Sequence, residues 1–161
     1  MAEMFLKLEG IEGESLDSTH GGEIEISSWG WDTTNAVRWD VNQGGQSTKV
    51  VVQDIIINKY CDKASVTLYQ DCVTGKHIKS GTITCRKNDG DQKVEYLIMK
   101  LTDIMVTKVH WEGEGDQQAL KETVGLSFAE FRIDYKVQND TGNAAGVKSY
   151  QFNVQKQQGS A

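Results

Sequence analysis

The run "ESLDSTH" places Glu14, Asp17, Ser18 and His20 within seven residues. Carboxylate, hydroxyl and imidazole are the groups that acid–base and nucleophilic catalysis use. Catalytic sites usually gather such groups from distant segments, and a polar turn between two strands accounts for this run equally well. "TGKH" at 74–77 has the Gly-Lys of a phosphate-binding loop. The upstream glycine is missing, however, and the segment follows a helical pattern instead of opening one. His20, His77 and His110 show no metal-ligand spacing. The acidic run "EGEGD" at 112–116 is too sparse in ligands for a calcium loop and reads as a solvated hairpin connection. HExxH, GxSxG and GxGxxG do not occur. The sequence therefore assigns no catalytic residue, no cofactor-binding residue and no metal ligand. Cys61, Cys72 and Cys85 make an odd count without a CxxC pair, which favours reduced thiols in a cytoplasm. Cys61 and Cys72 flank a helical segment and read as small buried apolar residues.

With no chemistry to position, the elements themselves carry the reading. A chain of 161 residues is expected to form one domain, 1–161, large enough to bury a core. A net charge of −6, with Lys and Arg scattered, argues against a nucleic-acid partner. No apolar stretch approaches the roughly 18 residues of a membrane span. The N-terminus "MAEMFLKLEG" lacks the basic-then-apolar pattern of a classical secretory signal. Proline is absent, so glycine, 16 residues of it, must make the turns.

Apolar, β-branched runs recur between Gly, Asn and Asp clusters at 4–9, 23–32, 48–60, 78–88, 93–109, 119–137 and 146–156. One segment differs. In "DKASVTLYQDCVTG", Ala64, Leu68 and Cys72 recur every four residues between Asp62, a candidate N-cap, and Gly75, a candidate stop; this predicts a helix over about 62–74. Three strands switch apolar parity part-way: Ile24 and Ile26 to Trp29 and Trp31; Leu97, Met99 and Leu101 to Ile104 and Val106; Val124, Leu126 and Phe128 to Phe131, Ile133, Tyr135 and Val137. A one-residue slip exchanges the buried face, so each switch needs a bulge or a bend. Bent long strands point to a barrel, or to a sandwich whose strands are shared between sheets. Phe128 and Ile133 are expected inside, on either side of one bend. "VVVQDIII" and "VEYLIMKL" are apolar on both faces, so their outer faces need cover from the helix, an arm or another subunit.

The stretch "GESLDSTHGGEIEISSWGW", with Gly13, Glu14, Ser15, Asp17, His20, Ile24, Ser28 and Trp29, resembles the N-terminal signature of the haemolysin-coregulated protein (Hcp) family. The resemblance continues through "VQDIIINKYCDKAS", "CVTGKHI", "VEYLIMKLTDIMV" and "ETVGLSFAEFRIDYKVQNDTG", nearly the whole chain. It implies a mainly β fold, a closed antiparallel β-barrel of bent strands with one flanking α-helix. It further implies a structural tube subunit of the bacterial type VI secretion system: a homo-hexameric ring that stacks into a secreted tube. The implied partners are a spike protein at the tip, a contractile sheath and secreted effectors, without membrane insertion. The protein would reside in the bacterial cytoplasm before firing and then be secreted without a cleaved signal peptide.

The chain departs from the family pattern mainly in an arm at about 33–48, "TTNAVRWDVNQGGQST". There Val37, Trp39 and Val41 alternate on a polar extension, candidates for a subunit-interface or stacking contact; the alternative is a hairpin folded over its own sheet. Trp29 and Trp31 share a strand face, so Ser28 and Gly30 take the opposite one, which in a ring would face the channel. A competing reading is a monomeric small-ligand-binding β-barrel, and the bulky residues on both strand faces speak against its cavity.

Overall fold

A computed structural model of the chain describes residues 3–138 and 144–160. Residues 1, 2, 139–143 and 161, which the expected domain 1–161 includes, lie outside the described residues. In chain order the elements are β1 (Glu3–Leu8), β2 (Ile24–Glu25), β3 (Ser28–Gly30), β4 (Thr33–Asp40), β5 (Gly44–Val52), β6 (Ile55–Tyr60), α1 (Ala64–Thr74), β7 (His77–Asp89), β8 (Gln92–Glu112), β9 (Lys121–Gln138), β10 (Ala144–Asn153) and β11 (Gln158–Ser160). The fold is mainly β, and the pairings are antiparallel. One sheet runs β11-β10-β9-β8-β7-β1-β2, with β6 on β9 and β3 on β6; β4 and β5 pair with each other as a separate ribbon.

The parity switches fall on one line across three strands. In β8, buried Leu101 and Ile104 flank the exposed pair Thr102–Asp103; in β9, buried Phe128 and Phe131 flank Ala129–Glu130. In β7, buried Ile78 and Gly81 flank Lys79–Ser80. These positions are in register, Ile78 with Ile104 with Phe128, and Gly81 with Leu101 with Phe131. The three strands therefore turn one shared corner. Asp103 takes the left-handed conformation there, with φ +52°, which lets two successive residues face outward. Gly81 lies on the inside of the corner: a Cβ would stand 2.8 Å from both Ile104 Cδ1 and Leu8 Cδ2. Any larger residue would have to displace those two methyl groups. β9 also exchanges partners around this corner, pairing β6 through Lys121–Leu126 and β10 from Glu130 onward.

The switch in 24–31 has a different cause. Ile26 N–H donates to Met4 O (3.0 Å), whereas Ser27 N–H donates to Asn58 O (2.8 Å). The segment leaves β1 for β6 between these two residues, and its buried face changes with its partner. Ile24 and Ile26 are buried, and Trp29 and Trp31 pack half-buried against the same core. That core is filled by Leu6, Ile24, Ile57, Ile83, Leu101 and Leu126, all but inaccessible. Each contributes roughly 1.5–3 kcal/mol relative to exposure.

The helix starts two residues later than expected, at Ala64, because Asp62 acts from outside it. Its Oδ1 accepts Ala64 N–H (3.0 Å), and its own N–H donates to Ser65 Oγ (2.9 Å). Gly75 ends the helix with φ +67°, donating its N–H to Asp71 O (3.0 Å). Ala64 and Leu68 are buried as the four-residue spacing requires. Cys72, like Cys61, is only half-buried, and Cys85 is the fully buried thiol; the reading of Cys61 and Cys72 as buried is corrected to that extent. Phe128 is inside, but Ile133 is half-buried, past the corner where β9 pairs with β10 on one side and β8 on the other.

Candidate assembly surface

The arm is a hairpin, and it extends beyond the expected 33–48 to Val52. Cross-strand pairs put Val37, Trp39, Val50 and Val52 on one face with Ser47 and Gly45, and Ala36, Arg38, Gln46 and Lys49 on the other. Thr48 is the extra residue of a bulge opposite Ala36 and Val37, and its Oγ1 donates to Ala36 O (2.9 Å). Trp39 lies over Gly45, where a Cβ would meet the indole at 2.8 Å. The ring nevertheless remains 79% exposed, and Val37 is exposed too. Val41 does not continue the strand alternation: it stands in the turn, fully exposed. The hairpin thus forms within the chain: at its root Val52 packs against the core, while farther out Val37 and Trp39 have no cover among the described residues.

Ser28 and Gly30 are both exposed, on the face opposite Trp29. Ser28 Oγ accepts from Asn58 Nδ2 (3.0 Å), and Asn58 Oδ1 accepts from Thr123 Oγ1 (3.0 Å), a polar row across β3, β6 and β9. One row on, Gly30, Ile56 and Gly125 are neighbours, and nothing lies within 4 Å of a Cβ built on Gly30. The surface there is low and open.

Asp17 and His20 of "ESLDSTH" are taken up in holding the 10–23 loop on the sheet. Arg86, its side chain 3% exposed, donates through Nε and Nη2 to Glu3 Oε2 (2.8 and 2.6 Å). Its Nη1 and Nη2 donate to the two oxygens of Asp17 (3.1 and 2.5 Å). The guanidinium holds the Asp17 carboxyl far below the usual carboxylate range, helped by the Thr19 and His20 N–H groups; the same guanidinium lowers Glu3. His20 stacks on Phe5 at 4.5 Å, and its Nδ1 and Nε2 lie 2.9 Å from Glu23 and 2.8 Å from Glu95. Glu14 and Ser18 are exposed, and His77 and His110 stand apart on β7 and β8, also exposed.

A second network is centred on two side chains inside the fold. Lys59 Nζ donates to Asp62 Oδ1 (3.0 Å), Ser65 Oγ (3.2 Å) and Glu122 Oε1 (3.2 Å), and both Lys59 and Glu122 side chains are inaccessible. Glu122 Oε2 also accepts from Trp111 Nε1 (2.7 Å) and Cys61 Sγ (3.4 Å). The group ties the start of α1 to β6, β8 and β9. Burial and the Glu122 carboxylate push the Cys61 thiol up, and burial does the same to Cys85, so both stay protonated and poorly nucleophilic. Sequence reading missed this network, although a signal was present: in Ile55-x-Ile57-x-Lys59 the lysine shares the buried parity and requires a partner carboxylate.

Residues 5–135 match the model of a family described as type VI secretion system effector, Hcp. The chain is 36% identical over 153 residues to protein hcp1 of Pseudomonas aeruginosa, across 94% of each chain. It superposes on the crystal structure of Hcp1 from Salmonella typhimurium with a TM-score of 0.79 and 33% identity, covering 98% of both chains. It is similarly like a type VI secretion system effector from Yersinia pestis, with a TM-score of 0.77 and 35% identity over 94% of this chain and 99% of that one.

Proposed function

This chain belongs to the Hcp family of type VI secretion proteins, and from that premise we propose that it is a structural subunit of the secreted tube. It acts by assembling, not by catalysing a reaction. Six copies form a ring, rings stack, and the stack is driven by a contractile sheath behind a spike protein. The observation that carries this reading is the arm: a paired ladder whose Val37 and Trp39, with Val41 in the turn beyond them, are exposed in the single chain. Exposing that much apolar surface on a projecting element is unfavourable, and a neighbouring copy removes it from water.

The reading includes a closed barrel and a single domain. The path β9-β8-β7-β1 returns to β9 through segment 24–30 and β6, and the hand-over bonds of Ile26 and Ser27 support closure at that seam. The face bearing Ser28 and Gly30 lines the channel, where low side chains leave room for effectors to approach the backbone. The protein waits in the bacterial cytoplasm and leaves through the tube's own machinery.

Size-exclusion chromatography with native mass spectrometry tests the reading. A species of six subunits at micromolar concentration is expected, and a stable monomer overturns it. Gly30→Gln should leave that species intact while reducing effector co-purification; unchanged retention removes Gly30 from the channel.

A further inference from the structure

The loop 10–23 closes on itself and lays its tip on the sheet. Gly13 N–H donates to Gly22 O (2.8 Å), Ser15 N–H to Glu23 O (3.0 Å) and Gly22 N–H to Ser15 O (2.8 Å). Side chains of the tip then make two ties. Asp17 meets the guanidinium of Arg86 on β7, a cation that keeps its charge at every ordinary pH. His20 makes the other tie, with a side chain only 8% exposed: Nδ1 lies 2.9 Å from Glu23 Oε2, and Nε2 lies 2.8 Å from Glu95 Oε1 on β8. A neutral imidazole has one N–H to donate and one bare nitrogen lone pair. A lone pair facing a carboxylate oxygen at such a distance repels it, so against two carboxylates both contacts are attractive only in the imidazolium form.

We propose that His20 is a pH-operated clasp: charged, it bridges Glu23 and Glu95 and holds the loop tip on β8; neutral, it keeps Glu23 and lets go of Glu95. Glu23 is the contact retained because it lies three residues away on the same loop, with its side chain 15% exposed, whereas Glu95 at 29% turns to water more readily. The charges around the ring agree. Glu3 on β1, Asp17 and Glu23 on the loop and Glu95 on β8 are carboxylates, and the fixed cations among them are Arg86 on β7 and Lys93 on β8. The remaining cation is His20 itself, and without its proton the carboxylates outnumber the cations two to one. The ring also stacks on Phe5 at 4.5 Å with planes 11° apart, which fixes it between the two carboxylates. The tie therefore holds on the acid side of the His20 titration and is lost as the pH rises through it. That sense is opposite to Asp17 and Glu3, whose contribution fails in acid. The tip carries Leu16, 97% exposed, so the proton on His20 governs how firmly an apolar side chain is presented to solvent.

The test uses the full chain. Hydrogen exchange at imidazole Cε1, read by mass spectrometry, follows each of the three histidines through its titration. Amide exchange of peptide 10–23, corrected for its intrinsic pH dependence, follows the loop. Loop protection should fall by roughly tenfold or more as His20 loses its proton, the worth of one hydrogen bond between charged groups. Glu95→Gln should abolish the fall, because an amide accepts from an N–H or donates to a bare nitrogen. Glu95→Ala should hold the loop at the released level throughout. A His20 that keeps one charge state between about pH 5 and pH 9 overturns the clasp. So does loop protection that ignores the His20 titration, or a Glu95→Gln loop that loosens with pH as the wild type does.

Discussion

Phe131→Ala probes the shared corner at one of its two buried aromatic rings. Phe131 is 6% exposed and faces Trp31 edge-on, with centroids at 4.8 Å and planes at 85°. Phe128 stands at 6.0 Å, Phe152 at 5.8 Å and Tyr150 at 6.2 Å. Truncating a buried phenylalanine costs about 3–5 kcal/mol, the spread reflecting how far the site collapses. Collapse is limited here. The Trp31 indole is tethered by its Nε1–H to Gln53 O (3.0 Å), and Phe128 is fixed on the far side of the bend. The upper half of the range follows, about 4–5 kcal/mol. For a domain of this size that amounts to roughly 8–20 °C in melting temperature. Urea melts followed by tryptophan fluorescence, repeated at several protein concentrations, separate subunit stability from any contribution of association. Ile133→Ala is the control: half-buried, it should lose about half as much. A Phe131→Ala loss below about 1.5 kcal/mol, or a larger loss at Ile133, refutes the corner as a packed aromatic joint.

Two further outcomes are expected. Glu122→Ala strands Lys59 without its buried partner and should cost about 3–5 kcal/mol, whereas Lys59→Met with Glu122→Leu should be near neutral; equal losses in urea melts would contradict this. Asp17 and Glu3 ionise more readily folded than unfolded, so their contribution is complete above about pH 5 and is lost as the pH falls through their lowered folded values. The gap in stability between wild type and Asp17→Asn should therefore narrow below about pH 4, and a constant gap would show that Arg86 does not act through that carboxylate.

The bends were legible in the sequence because burial on one face fixes parity, and Leu101–Ile104 and Phe128–Phe131 break it at positions that prove to be in register. Gly75 marked the end of the helix and Asp62 lay two residues before its start, bonding Ala64 N–H from outside, because capping is local chemistry. Where the arm ends was not legible. Val50, Val51 and Val52 continue into "QDIII" without a break in apolar character, and periodicity does not say which sheet a strand joins. Ile133 kept the right parity but lay too far along β9, since distance from the core leaves no mark in a period of two. The ion networks were hidden by separation, with Lys59 and Glu122 63 residues apart and Arg86 and Glu3 83 apart. Of the candidate surface, the aromatic on the arm was visible in advance.

The pairing of β1 bears on how the polypeptide leaves the ribosome. Its long flank joins β7, Glu3 with Arg86 through Leu8 with Gly81, while its nearer partner β2 offers just two residues. At about 5–20 residues per second, several seconds of translation separate the emergence of the first strand from that of its mate. Throughout that interval Phe5, Leu6 and Leu8 form a nascent apolar edge with little to pair against, and closing so long a loop is slow compared with local pairing. The hairpin at 33–52 needs nothing beyond itself and is complete long before. Strand β1 is therefore among the last elements secured, its apolar residues waiting until residue 86 has been added.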